Sequence, residues 1–186
     1  MSDPRPDAAP VTVATDAGML ALWSPAAFSG VVDHASWEPE LSEEEGRLRH
    51  IRAGALVPIN IRSDGAFGVV VRAGSAAADA RLTERESTYV VVSSKPYLLR
   101  SQGVACLSGI EAVAGEPWPD TVRLDLADGD HSVVVHLIDW EAEPGSTVDG
   151  KPSQDALADF VVLVNPASTA ASGPYRVATD TFELGE

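Results

Sequence analysis

Cysteine is nearly absent from this chain: Cys106 is the single one in 186 residues. One thiol forms no internal disulfide and is too little for a cysteine-rich metal site, so a reducing cytoplasm is the expected location. Long apolar runs are missing as well. Stretches such as residues 65–71 and 160–164 fall far short of the roughly 20 residues that a membrane-spanning helix needs. The N-terminus carries no basic region followed by an apolar block, so no secretory signal is expected. Lysine occurs only at Lys95 and Lys151, against eleven arginines.

Positive charge is scarce overall. The chain has 28 acids and 13 bases, a formal net charge of −15. Residues 1–46 carry −8, residues 47–100 carry +5 and residues 101–186 carry −12. A phosphate-binding surface needs a net basic face, so nucleic acid is excluded as a partner of the whole surface. Arg47, Arg49, Arg52, Arg62 and Arg72 form the basic middle, and cross-strand pairing with flanking acids accounts for them.

Familiar chemical motifs are also lacking. There is no Gly-x-Ser-x-Gly elbow, no phosphate loop and no Gly-x-Gly-x-x-Gly. Asp125, Asp128 and Asp130 lack the spacing of a calcium loop and are turn formers instead. The four histidines do not converge. His131 and His136 are five apart in one strand, and the two-residue pleat sends them to opposite faces. His34 and His50 flank the acidic segment. Neither a metal nor a cofactor is implied.

Short, alternating β-segments are what the chain has in abundance. Val11 and Val13, then residues 19–23, flank Asp16-Ala17-Gly18 as a hairpin. Ala55, Val57, Ile59 and Ile61 alternate with Leu56, Pro58, Asn60 and Arg62 and pair, across Asp64-Gly65, with Phe67, Val69 and Val71. Pro58 marks the first of these strands as an edge or a bulge. Residues 121–126 and 132–140 form a further pair around Asp128-Gly129-Asp130, the second strand apolar on both faces and therefore central. Residues 33–46 are a solvated loop or a short helix from Ser42, outside the core, and residues 82–86 are ambiguous. Nine to eleven such strands and no long amphipathic helix predict an all-β, antiparallel two-sheet sandwich of jelly-roll type over residues 11–186. It has at most one or two short helical turns, and residues 1–10 form a flexible N-terminal arm.

Two functions of different class follow. The first is a soluble, acidic, non-catalytic binding protein of bacterial type that recognises another protein, a basic one among the options, or self-assembles. It engages through Trp37, Trp118 and Trp140, because tryptophans in loops beside acids suit a charge-steered interface. The alternative is a small hydrolase. His136 is its general base beside Trp140, and Asp139 and Glu141 lie on one strand face about 7 Å apart, as acid and base pairs flank a sugar cleft. Cys106 sits among Val104, Ala105, Leu107 and Ile110 and reads as an inert core thiol. A small-molecule ligand inside the sandwich is a third option.

Overall fold

The computed structural model describes residues 9–168 and 174–184, so the expected arm falls largely outside the described residues. Ten strands run in chain order: β1 (Val11–Thr15), β2 (Met19–Trp23), β3 (Leu56–Asn60), β4 (Gly65–Ala73), β5 (Val90–Ser93), β6 (Tyr97–Gly109), β7 (Val122–Ile138), β8 (Thr147–Val148), β9 (Lys151–Pro152) and β10 (Phe160–Pro166). The helices are α1 (His34–Trp37), α2 (Glu44–Arg52) and α3 (Glu84–Tyr89), with a π-helical turn at Glu38–Ser42 between α1 and α2.

The expected antiparallel two-sheet sandwich is overturned. Eight strands form one mixed sheet in the order β1-β4-β10-β7-β6-β2-β3, with β5 on β7. Within it β10 runs parallel to β4, Phe160 opposite Val69 and Val164 opposite Ala73. Helices and helical turns cover much of its outer surface, more than an all-β fold allows.

The two expected hairpins are also not hairpins. β1 pairs with β4 and β2 with β3, so each turn carries the chain round a corner of the sheet. Gly18, at φ +65°, holds the tight bend, and its carbonyl accepts from the amides of both Ile61 and Arg62 at 2.8 Å. A Cβ on Gly18 would lie 3.2 Å from the backbone nitrogen of Ser63. The second corner lies on the β6–β7 ladder, whose register slips between Ser101 and Gly103. The Asp128-Gly129 segment, read from the sequence as a reversal, is an irregularity inside the continuous strand β7, with Gly129 at φ +122°. Bulges and glycines let one sheet bend there without losing its ladder.

The two corners divide the sheet into halves whose inner faces meet. Leu20, Leu22, Val57, Ile59 and Leu107 come from one half, and Val69, Val133, Val135, Phe160 and Val162 from the other, all within one buried cluster. Strict alternation places them there, because side chains two apart share a face. Burying each such side chain is worth about 1.5–3 kcal/mol. β7 lies between β6 and β10, as its apolar residues on both faces require.

Each half is covered on its outside. Residues 25–54 cap the β2–β3–β6 half, where Phe28 meets Trp23 edge-on at 5.7 Å and Leu41 and Ile51 are buried. The acidic segment therefore contributes to the core, contrary to the expectation of a peripheral loop. Gly46 makes this possible: a Cβ there would come 2.1 Å from the Pro39 carbonyl oxygen. α3 caps the other half, opened by a reciprocal capping box between Thr83 and Glu86. The C-terminal segment crosses the edges. Arg176 donates to the Pro96 carbonyl, and the buried Phe182 donates to the Asn60 carbonyl and meets Phe160 edge-on at 6.0 Å.

Candidate functional site

Beneath α3 lies a group of polar side chains on the outer face of β4 and β7. Arg72 of β4 makes a two-pronged ion pair with Glu86, both contacts at 2.7 Å. Burial raises the Glu86 carboxyl, but the Arg72 donors and the Thr83 amide outweigh it and leave it below the ordinary value. His136 is buried on the same face, and its Nδ1 lies 2.7 Å from Oγ of the exposed Ser93. Ser93 and His136 are direct cross-strand partners. Burial lowers the His136 pKa, against the opposing pull of the Glu86 carboxylate, so the imidazole is held neutral.

The strand carrying His136 ends at Ile138, and Trp140–Ala142 form a 3-10 turn. Asp139 and Glu141 thus do not share a strand face. No hydrogen bond joins either to His136 among the described residues. The Asp139 amide donates to the Tyr89 carbonyl at 2.8 Å, while Glu141 is exposed. Trp140 donates its indole N–H to Asp159 at 2.9 Å, whose other oxygen accepts from the Gly68 amide at 2.7 Å. That indole ties the turn to β4 and packs on the cluster under α3.

The other two tryptophans lie at the opposite cover. Trp37 is half-buried and donates to the Ile110 carbonyl at 3.0 Å, fixing α1 to the segment after β6. The Gly115 amide donates to the Val31 carbonyl at 2.9 Å, so residues 110–121 run beside residues 28–38. On this end Trp118 is 48% exposed and Val32 78%. Seven exposed acids occupy residues 28–46 and 110–121, with no lysine or arginine in either segment: Asp33, Glu38, Glu43, Glu44, Glu45, Glu116 and Asp120. The remaining two acids of these segments are engaged. Glu40 contacts Arg49 at 2.9 Å and His50 at 2.5 Å, and Glu111 accepts from Thr15 and from the Asp16 amide.

Cys106 is fully buried opposite Trp23, and burial pushes its thiol up. It lies on the other half of the sheet from His136. His131 is buried with its Nε2 on the Ala127 carbonyl at 2.8 Å, and Leu99 stands opposite it in the ladder. His131 and His136 therefore point to opposite sides of β7. No group of three His, Cys, Asp or Glu side chains gathers as a metal site among the described residues. Hollows among the described residues include the following two. One, of about 290 Å³, is a shallow surface hollow beside Ser24, Gly54 and Arg100. The other, of about 260 Å³, opens between the two sheet halves.

Glu86, Ser93, Asp159 and Val32 were not singled out from the sequence. The Thr83-x-x-Glu86 spacing is a readable capping box. The pairing of Ser93 with His136 depends on strand register and had no local signal.

No family model matches the chain, and no curated protein matches it. Among solved structures, the crocagin biosynthetic gene J protein superposes with a TM-score of 0.56 at 16% identity, over 86% of this chain and 97% of that one. What the two share is the fold. ComJ from Bacillus subtilis, an inhibitor of the DNA-degrading activity of NucA, gives 0.49 at 10% identity, over 87% of this chain and 98% of ComJ.

Proposed function

We propose that the chain is a binding protein that docks a basic protein through the end bearing Trp118 and Val32, acting in the cytoplasm. The observation that carries this is the exposed Trp118 indole, flanked in its own segment by the exposed Glu116 and Asp120, on a segment that runs beside residues 28–38 with the exposed Asp33 and Glu38. An apolar anchor flanked by acids combines the two ingredients of a specific interface, desolvated contact at the centre and charge steering beside it. A second copy of the chain is disfavoured at this end, since like charges would face each other. Partners with the required charge include proteins that handle nucleic acid, whose phosphate-binding faces are basic.

The test is an affinity measurement with a panel of basic baits, including a nuclease, for the wild-type chain, Trp118→Ala and the charge reversal Glu116→Lys/Asp120→Lys. Binding that falls at least tenfold in both variants, and that weakens with salt, supports the proposal. Binding of a bait unchanged by either variant, or no bait bound at low salt, overturns it.

A second function, hydrolysis centred on His136, has one observation in its favour: Ser93 Oγ lies at hydrogen-bond distance from a neutral imidazole. A hydroxyl beside a base is the arrangement of an activated nucleophile. Treatment with a fluorophosphonate should then phosphonylate Ser93 and leave the His136→Ala variant unlabelled. Equal labelling of both, or labelling of neither, removes this function.

A further inference from the structure

We infer that the hollow between the two sheet halves is a binding site for a small, neutral, apolar molecule of about ten non-hydrogen atoms. Its wall is drawn from both halves. Leu22, Ala105, Leu124 and Leu126 line it on one side, and Val71 and Val164 on the other. The wall is aliphatic because these are alternate, inward-facing residues of five different strands: Ala105 stands opposite Leu124, and Val71 opposite Val162.

The two ends of the interior differ in how they are filled. At one end Phe67, Phe160 and Phe182 stack edge-on, with centroids 6.1 Å and 6.0 Å apart. Along β10 from Phe160, the other end is reached at Val164, and no aromatic ring lines the hollow there. Ala105 supplies only a methyl group where the next inward residue of its strand, Leu107, supplies a full side chain. A space of about 260 Å³ remains. The hollow is a cleft with an aliphatic floor, open to solvent at the exposed Ala73, Arg123 and Asp125. Ordered water is a poor occupant of the floor, because it needs two to four polar partners and only Arg123 and Asp125, at the mouth, carry polar side chains.

Size and charge then define the ligand. An enclosed apolar cavity of about 150 Å³ holds benzene, so an open cleft of about 260 Å³ admits a body the size of naphthalene with one edge toward solvent. Arg123 and Asp125 sit at the rim with opposite charges, so neither an anion nor a cation is favoured. A neutral bicyclic aromatic or compact hydrocarbon fits. This site is separate from the Trp118 end and does not depend on it.

The experiment is methyl NMR of the full chain titrated with naphthalene and, separately, with xenon. Saturable shifts are expected at Leu22, Val71, Leu124, Leu126 and Val164, with Val70 and Val161 on the outer face unmoved. Ala105→Leu fills the hollow from within and should weaken naphthalene binding at least tenfold without lowering the melting temperature. Should that variant fail to fold, Ala105→Val is the smaller filling, with a weaker loss in the same direction. Absence of shifts with both probes, shifts centred on the outer face, or binding undiminished in the folded filling variant would each overturn the assignment. Trp118→Ala should leave these shifts unchanged.

Discussion

The two outer covers of the bent sheet solve the same problem with different chemistry. Over β2, β3 and β6 the cover is apolar: Phe28, Leu41 and Ile51 close on Trp23, and all four are within 1% of full burial. Over β4, β10 and β7 the cover sets a buried ion pair and a neutral histidine among Val70, Val161 and Ile138. The first depends chiefly on area removed from water, which pH leaves alone, with the Glu40–His50 contact at its flank. The second depends on charges whose desolvation must be offset by good geometry, so it ties that half of the molecule to proton concentration.

The largest effect separating the covers is expected from Phe28→Ala. It removes a buried ring that meets both Trp23 and, at 4.6 Å, His50, and should cost about 4 kcal/mol in denaturant unfolding, equally at pH 5 and pH 7. A cost that grows on acidification would show that the apolar cover is also charge-dependent. Next comes Glu86→Gln, which strips Arg72 of its carboxylate and should cost about 3 kcal/mol. The double variant Arg72→Met/Glu86→Met should recover most of that loss, because replacing both partners leaves no buried charge. A double variant as unstable as the single one would show that relief of the buried charge does not recover stability once the capping box, which Glu86→Gln can keep and Glu86→Met cannot, is also lost.

A smaller effect is the acid limb of stability. The folded fold favours neutral His136, so its contribution is present above the ordinary value of 6.5 and is lost as pH falls through the lower folded value. Glu86 acts in the same direction: its contribution is present above 4.5 and is lost as pH falls through its depressed folded value. His136→Leu should therefore flatten the decline just below pH 6.5 and leave the lower step intact. An unchanged profile in a pH series of unfolding curves would move the upper step to another group. Least of all, Trp118→Ala should change stability by under about 0.5 kcal/mol, as for an exposed side chain. A larger loss would mean that the indole belongs to the apolar cover and is not held out for a partner.

Much of the local structure was legible and much of the pairing was not. Val11, Val13, Leu20, Leu22 and their counterparts on β3 and β4 alternate clearly enough to mark strands. Yet the turns at Gly18 and Asp64 look the same whether the chain reverses or rounds a corner, and only the partners of β1 and β2 distinguish the two. The parallel contact of β10 with β4 joins residues some ninety positions apart and carries no local signature. Of the three tryptophans read as loop residues beside acids, Trp118 is the exposed one. Trp37 and Trp140 had the same acidic setting and are hydrogen-bonded to Ile110 and Asp159 instead.

By itself the sequence determined which residues face a core, where the chain bends and how negative its surface is, because pleat, turn chemistry and charge count are properties of neighbours in the chain. Tertiary structure alone decided that one sheet folds over on itself, that Ser93 faces His136 and that a hollow remains beside Ala105. Those depend on register between distant strands, and the free energy of register is shared among many weak contacts that no short stretch of sequence contains.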